Sequence, residues 1–156
     1  MNGTTTVDTP LGKMSVRIED DKLCALNLGE ESLFHQADNS DLLNQLRSEL
    51  DGYFIDKRFD FSVPLNLQGT EFQKRVWHAL SRIPTGTTST YGQLARQLNS
   101  SPRAIGNACR ANPVPIIIPC HRVLAKQGLG GYDGQTQGKR LDIKRWLLRH
   151  EGVNID

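Results

Sequence analysis

The feature of this sequence that most limits its possible folds is a close succession of three helix-start signals between residues 70 and 102. Thr70-Glu71-Phe72-Gln73 and Thr90-Tyr91-Gly92-Gln93 both have the capping-box pattern, in which a threonine and a glutamine three residues later cap a helix N-terminus. Ser101-Pro102 places an N-cap residue before a proline at the first helical position. Three such starts in so short a segment predict short, tightly connected helices.

The second and third of these helices are separated by the polar pair Asn99-Ser100, a spacing typical of a helix-turn-helix. The outward face of the third helix combines small residues, which allow close approach to another surface, with arginines that can contact phosphates. These residues are Ser101, Arg103, Ala104, Gly106, Asn107 and Arg110. The pattern favours DNA binding, although a solvated face is the commoner meaning of such a helix pair.

The preceding residues predict a separate α/β unit. Apolar residues alternate or cluster in Thr5–Asp8, Lys13–Glu19 and Leu23–Leu28, as in an antiparallel meander. A helical apolar stripe follows from Asp41 to about Asp56, with Ser40 as N-cap. We therefore predict an α+β fold, in which residues 1–65 form a small antiparallel sheet with a helix. Residues 66–156 are predicted to form a mostly helical domain that contains the helix-turn-helix.

Charge is distributed unevenly along the chain, although the net charge of +2 is mild. Between Arg75 and Arg149 the only acidic residues are Asp133 and Asp142. This asymmetry indicates an anionic partner for the C-terminal half.

The cysteines Cys24, Cys109 and Cys120 form no closely spaced pair, which argues against a disulfide framework and favours a reducing cytoplasm. No apolar stretch has the length of a membrane helix. Cys24 with His35 supplies too few ligands for a structural metal site, so we expect none.

The strongest chemical signal is Pro119-Cys120-His121-Arg122, which directly follows the apolar run Ile116-Ile117-Ile118. We predict that the run is a short buried strand that supports the sulfur. A neighbouring imidazole or positive charge lowers the pKa of a cysteine thiol, and the thiolate is the reactive form. Because most cysteines are small core residues, the pair by itself leaves a structural role open.

A glycine-rich loop, Gly128 to Gly138, follows this segment and is a candidate for covering a substrate. A last helix is predicted from about Leu141 to His150, with Ile143, Trp146 and Leu147 packed inward. Glu151 stands where a solvated acid is usual, and its role depends on whether the fold brings it to His121.

Together these segments resemble the O6-alkylguanine-DNA alkyltransferases, also called methylated-DNA–protein-cysteine methyltransferases. Residues 118–123, Ile-Pro-Cys-His-Arg-Val, are similar to the acceptor-cysteine signature of that family. Further matches follow in family order at residues 69–73, 91–95, 103–106, 112–115 and 146–152. The resemblance covers roughly the last 90 residues, an ordinary length for one domain.

The resemblance implies direct reversal of DNA damage. The alkyl group of O6-alkylguanine, and of O4-alkylthymine, would move irreversibly to Cys120 in a single turnover that needs no cofactor. The helix-turn-helix would dock in the minor groove of double-stranded DNA, and the alkylated base would be flipped into a pocket. The protein is then expected to be a cytoplasmic monomer with no membrane partner.

The resemblance also implies a role for each residue of a catalytic set. Cys120 would be the nucleophile, His121 its base through a bridging water, and Glu151 the group that orients His121. Tyr91 would displace the nucleotide phosphate and hydrogen-bond the guanine. Asn112 would be the hinge asparagine, bonding backbone around the DNA-binding helices and the active site.

Two further sets come from the same resemblance. Arg103 would fill the gap left by the flipped base. The DNA-binding set is Arg103, Ser101, Ala104, Gly106 and Arg110. The substrate pocket is assigned to Val123, whose neighbouring main chain would accept from the guanine amino group, and to Tyr132 and Asp133.

One segment departs from the family pattern. Between Tyr132 and Trp146 the chain is several residues longer than many relatives, and Asp133 stands where small residues are common. Because this loop forms one wall of the pocket, the departure bears on the size of the accepted alkyl group and on the preference for guanine over thymine. We expect Asp133 to point outward, since an acid near phosphate is unfavourable.

Three other classes of protein are alternatives. A binding module that recognises alkylated bases without repairing them would lack the acceptor, and Cys120 is present. A helix-turn-helix regulator with a sensor domain would not explain the segment Pro119 to Val123 or Glu151. A Cys-His hydrolase leaves the helix pair unexplained. Transfer of an alkyl group to the sulfur would separate all three from the alkyltransferase.

Overall fold

The computed structural model describes residues 3–28, 40–56, 60–132 and 138–155. The chain divides into two compact units, residues 1–68 and 69–156. Two residues singled out in the sequence, His35 and Asp133, lie outside the described ranges, so the outward orientation of Asp133 stays a prediction.

The N-terminal unit contains a three-stranded antiparallel sheet in the order β1 (Gly3–Thr9), β2 (Gly12–Glu19), β3 (Lys22–Leu28). Asp20 and Asp21 form the turn between β2 and β3, with φ of 53° and 58°. Positive φ at both central residues is what a two-residue type I′ hairpin requires, and aspartate tolerates it better than most residues. The predicted meander is confirmed.

Helix α1 (Asp41–Ile55) follows, and contacts β1. Its predicted N-cap is confirmed, because the Ser40 hydroxyl accepts from the Leu43 amide at 3.2 Å. The buried carboxylate of Glu49 accepts from the amides of Ser62 and Val63 at 2.7 and 3.0 Å, which ties the segment after the helix to α1. Burial opposes ionisation of Glu49, but these bonds lower its pKa overall.

The C-terminal unit is mostly helical, as predicted. Its helices are α2 (Glu71–Ser81), α3 (Tyr91–Gln97), α4 (Pro102–Arg110) and α5 (Lys139–His150). Both predicted capping boxes are formed, at Thr70 and at Thr90. The Trp77 indole donates to the Ala108 carbonyl at 2.9 Å and so ties α2 to α4. Phe72, in the first turn of α2, is only half-buried.

The predicted helix-turn-helix is confirmed in α3 and α4, which pack against each other. Asn99 ends α3 with φ of 55°, and the Ser100 amide donates back to the Ala95 carbonyl at 2.7 Å. This is a Schellman-type ending in which asparagine takes the left-handed position. Ser101 then caps α4 by accepting from the Ala104 amide at 3.1 Å, so both ends of the turn are hydrogen-bonded.

A short parallel pairing joins this helix pair to the reactive segment. Strand β4 (Ser89–Thr90) precedes α3, and strand β5 (Val123–Leu124) follows Cys120. Ser89 pairs with Val123 and Thr90 with Leu124. The N-terminus of α3, with Tyr91, is therefore fixed beside the chain that leaves Cys120.

The strand predicted for Ile116 to Ile118 is wrong. These residues form a turn in which Ile116 has φ of 76° and the Ile118 amide donates to the Val114 carbonyl at 3.0 Å. An apolar run predicts burial, which Ile116 and Ile118 show, but it does not specify the backbone. The flanking prolines lack the N–H groups that strand pairing needs. Burial offsets the left-handed conformation, which costs about 1–2 kcal/mol in an L-residue.

The inward packing predicted for Trp146 is also wrong. Its side chain is 37% exposed on the outer face of α5. Its ring stacks on that of His150, with centroids 5.0 Å apart. Ile143 and Leu147 are buried as predicted.

No helix in the described ranges is both long enough and apolar enough to span a membrane.

Candidate active site

Cys120 begins a single 3-10 turn that runs from Cys120 to Arg122. The Cys120 amide donates to the Ile118 carbonyl at 2.8 Å, and the Arg122 amide donates to the Pro119 carbonyl at 3.0 Å. The cysteine is 6% exposed. A buried turn, and not a strand, therefore holds the sulfur.

The fold brings Glu151 to His121. Glu Oε2 lies 2.7 Å from His Nε2, and both side chains are fully buried. Glu151 is the C-cap of α5, followed by Gly152 with φ of 87°. The Val153 amide donates back to the Leu148 carbonyl at 2.9 Å, as in a Schellman motif. The helix ending thus turns what would usually be a solvated acid into a fixed partner of the histidine.

Arg122 is a second partner of Glu151 that sequence reasoning did not anticipate. Its Nε and Nη2 donate to the two carboxylate oxygens at 2.8 and 3.0 Å. Its remaining donors reach the Ile83 carbonyl at 2.6 Å and the Thr85 hydroxyl at 3.1 Å. The guanidinium therefore neutralises Glu151 and fixes the turn after α2 to the same cluster.

The pKa of His121 is lowered by burial, and the neighbouring positive charges of Arg122 and Lys144 add to this, while Glu151 opposes it. The imidazole is therefore neutral at pH 7. A carboxylate only accepts, so the proton of the neutral ring is on Nε2 and Nδ1 carries the lone pair. Nδ1 is buried and has no hydrogen-bond partner among the residues that the structure describes. It is the nitrogen able to act as a base.

Tyr91, the first residue of α3, has its hydroxyl 3.5 Å from the Gly131 carbonyl, at the outer limit of a hydrogen bond. Burial raises the pKa of Tyr91 to about 12, helped by the thiolate forms of Cys109 and Cys120. The phenol therefore remains protonated and can donate. Gly130 has φ of 75°, and a Cβ there would lie 3.0 Å from the Tyr91 ring. A side chain at position 130 would therefore crowd the tyrosine.

Lys144 is a buried ammonium whose place in this cluster no sequence pattern predicts. It lies on α5, is fully buried, and donates to the Val123 and Gly131 carbonyls at 2.7 and 2.8 Å. The Val123 carbonyl, near which the guanine amino group was expected, is thus already bonded once. A carbonyl oxygen has two lone pairs, so one further donor can still be accepted.

Asn112 joins the end of α4 to the loop that carries Cys120. Its Nδ2 donates to the Ile118 carbonyl at 2.8 Å, and its Oδ1 accepts from the Val114 amide at 3.0 Å. Both bonds are to backbone groups, so the Asn112 side chain supplies hydrogen bonds that a helix or strand would otherwise provide in this loop.

The residues predicted for DNA binding lie on α4, apart from the buried cluster. Arg103 and Arg110 are exposed, and Ala104 and Gly106 are half-buried. A Cβ added to Gly106 would meet nothing within 4 Å, so this face of the helix is open. The structure therefore presents a narrow surface of small residues flanked by two arginines.

The remaining predicted residues are placed as follows. Tyr132 is buried next to the described end of the glycine-rich loop. Cys109 is half-buried, and burial raises its pKa to about 12, with the Cys120 thiolate adding to the rise. Within the described ranges, no three His, Cys, Asp or Glu side chains come together as metal ligands.

Comparisons with known proteins agree with this architecture. A family model for the 6-O-methylguanine DNA methyltransferase DNA binding domain matches residues 71–153. A model for the ribonuclease-like domain of the same methyltransferase matches residues 4–67. A constitutive methylated-DNA–protein-cysteine methyltransferase from Bacillus subtilis is 36% identical over 165 residues, which cover 99% of this chain and 98% of that protein.

Solved structures give the same result. The O6-methylguanine methyltransferase of Mycobacterium tuberculosis superposes with a TM-score of 0.82 at 34% identity, covering 97% of this chain and 93% of that one. A crystal structure of OGT from the same organism in complex with DNA superposes with a TM-score of 0.80 at 35% identity, covering 95% and 91%. The α+β fold is confirmed, and the chain belongs to the 6-O-methylguanine DNA methyltransferase family of DNA-repair enzymes.

Proposed function

We propose that this protein repairs duplex DNA by moving the alkyl group of O6-alkylguanine, and of O4-alkylthymine, to the sulfur of Cys120 in a single irreversible turnover. The observation that carries the proposal is the buried His121–Glu151 pair directly after Cys120, with its 2.7 Å contact and its neutral imidazole. Nucleophile, base and orienting acid are the three parts that activation of a thiol needs.

The reaction is one displacement at the alkyl carbon. His121 Nδ1 takes the thiol proton through a bridging water, and the resulting imidazolium is stabilised by Glu151. The sulfur forms a bond to the alkyl carbon while the bond from that carbon to guanine O6 breaks. The electron pair of the broken bond stays on guanine. The product at Cys120 is a thioether, and no described side chain offers a route back to the thiol, so each molecule reacts once.

Departure of guanine requires stabilisation of the charge that develops on the base. Tyr91 remains protonated and is a suitable donor toward it. The Val123 carbonyl keeps one lone pair for the guanine amino group. Asn112 keeps the Cys120 loop in register with the end of α4 through its two backbone bonds.

DNA reaches this site through the helix-turn-helix, docked in the minor groove. Ser101, Ala104 and Gly106 allow the backbone of α4 to approach the duplex, and Arg110 contacts phosphate. Arg103 enters the stack in place of the alkylated nucleotide, which is flipped out toward Cys120. The related OGT from M. tuberculosis has a structure in complex with DNA, which supports a DNA substrate here. One reaction per molecule requires only a monomer.

The proposal is tested by the stoichiometry of repair with the protein limiting. Duplexes carrying one O6-methylguanine are incubated with the protein, digested to nucleosides and quantified by chromatography. We expect restored guanine to stop at one per protein, with none restored by Cys120→Ser. Continued turnover would contradict the single-turnover mechanism. A parallel duplex with O4-methylthymine tests the second substrate, and no loss of that base would remove it from the proposal.

A further inference from the structure

The buried ammonium of Lys144 has no role in the steps given above. It is fully buried, and its two hydrogen-bond acceptors are neutral backbone carbonyls. Removing an ammonium from water is costly unless hydrogen bonds and opposite charge compensate. Burial at this position therefore favours the neutral amine of Lys144 over its ammonium form.

The two carbonyls that Lys144 binds belong to the segments on which the site depends. Val123 directly follows the reactive turn and begins β5. Gly131 lies in the glycine-rich loop, and its carbonyl is also the one that the Tyr91 hydroxyl approaches. The ammonium lies 5.9 Å from the centre of the Tyr91 ring, within reach of a cation–π interaction. One side chain of α5 thus ties the reactive segment, the loop and the tyrosine together.

The electrostatics identify the sulfur of Cys120 as the opposite charge. Burial lowers the pKa of Lys144 to about 8, and the thiolates of Cys120 and Cys109 oppose this fall. Cys109 has its own pKa raised to about 12, so it is a neutral thiol at physiological pH. Tyr91 and His121 are also neutral there, and the charges of Glu151 and Arg122 are paired with each other. Of the two thiolates, that of Cys120 therefore favours the ammonium most.

We propose that Lys144 is a positioning residue of the alkyl-transfer reaction: its ammonium fixes the Val123 and Gly131 carbonyls and supplies the positive charge that favours the thiolate of Cys120. This inference rests on the proposed function in that Cys120 is the acceptor. By linkage, the thiolate must favour protonation of Lys144 by the same free energy by which the ammonium favours the thiolate. The coupling can therefore be measured from either side.

The first test uses the unaltered protein and no DNA. The pKa of each lysine is followed by NMR of ¹³C-labelled Cε, before and after alkylation of Cys120 by iodoacetamide. We expect the pKa of Lys144 to fall after alkylation, because the thiolate that supports its charge is gone. Lys139, exposed at the start of the same helix, is the internal control and should not move. An unchanged Lys144 pKa with Cys120 fully alkylated, as mapped by peptide mass spectrometry, would overturn the inference.

The second test removes the charge with Lys144→Met, and uses Lys139→Met as the matched control. At pH values below the pKa of Cys120, we expect its iodoacetamide reaction to slow about tenfold for each unit by which that pKa rises. The profile of rate against pH should shift to higher pH in Lys144→Met only. Affinity for undamaged duplex DNA should stay as in the parent, since the α4 face is unaltered.

The two tests separate this inference from the proposed function. A shifted profile together with no alkyl transfer from DNA would refute the proposed function and leave the coupling of Lys144 to Cys120 standing. Normal transfer with an unshifted profile in folded Lys144→Met would refute the coupling and leave the proposed function standing.

Discussion

Replacing Glu151 by glutamine tests how much of the site depends on one buried carboxylate. Glu151 accepts from His121 Nε2 at 2.7 Å and from Arg122 Nε and Nη2 at 2.8 and 3.0 Å. Glutamine has nearly the same shape but presents one NH₂ group in place of an acceptor. Whichever way the amide is turned, it sets an N–H group against an Arg122 donor.

The orientation of the amide also decides the tautomer of His121. With NH₂ at the position of Oε2, the amide donates to Nε2 and forces the ring proton onto Nδ1, the nitrogen needed as a base. With NH₂ at the position of Oε1, the tautomer is kept but the negative charge that stabilises the imidazolium is lost. A misplaced or unsupported base costs about 10²–10⁴ in rate, which is the loss we expect in the single-turnover rate of Glu151→Gln.

The same change is expected to destabilise the C-terminal unit. Arg122 keeps its bonds to the Ile83 carbonyl and the Thr85 hydroxyl but loses its counter-charge in a buried position. Removing one partner of a buried ion pair and leaving the other unpaired lowers the free energy of unfolding by about 3–5 kcal/mol, which urea unfolding measures. Asp142→Asn is the matched control, because it breaks the exposed Asp142–Arg145 pair on the same helix and should cost less than about 1 kcal/mol.

The rate is measured by rapid quenching with protein in excess over a duplex that carries one O6-methylguanine. Measurement at a temperature where Glu151→Gln is fully folded separates the chemical effect from unfolding. A parent-like rate in folded Glu151→Gln, together with an unchanged pKa of Cys120, would refute the assignment of His121 and Glu151 as base and orienting acid.

Three further outcomes follow from the structure. Arg103→Ala should weaken repair in duplex DNA much more than reaction with the free alkylated base, and equal losses in the two assays would remove its role in filling the stack. The lowered pKa of His121 means that the unfolded state binds the proton more readily, so unfolding free energy should fall as pH drops below the ordinary value of 6.5, and His121→Asn should lose this part of the dependence; an identical urea-midpoint profile in both proteins would contradict it. Glu49→Gln should lower the unfolding free energy by about 1–3 kcal/mol by calorimetry, because the Ser62 and Val63 amides both donate to Oε1, so the new NH₂ takes the Oε2 position and faces the Gln45 Nε2 donor, and an unchanged melting temperature would count against that bonding.

Local signals in the sequence are sufficient for the longer regular elements, but not for the two-residue strands β4 and β5. The capping boxes at Thr70 and Thr90, and Ser101 before Pro102, fix helix starts by bonds within one turn, so they can be read without tertiary information. The Asp20-Asp21 hairpin is local in the same sense. The family signature around Cys120 is likewise contiguous, so it indicates the family without tertiary information.

Features that depend on distant contacts could not be read in the same way. The Ile116 to Ile118 run predicts burial equally well for a strand and for a turn, and only the contacts of the folded loop decide between them. Trp146 fits the apolar stripe of α5 by spacing, yet it lies on the exposed face. Arg122 and Lys144 are charged residues whose burial depends on acceptors 13 to 39 positions away in the chain. The spacing of apolar residues along the chain does not predict such partners.

In the proposed reaction, Cys120 takes the alkyl group from DNA. This transfer can be followed by intact-mass and peptide mass spectrometry after incubation with a duplex carrying one O6-methylguanine. We predict a mass gain of one CH₂, located on Cys120 and saturating at one per protein molecule. Binding of the duplex without a mass gain, or a gain located on Cys24 or Cys109, would contradict the account.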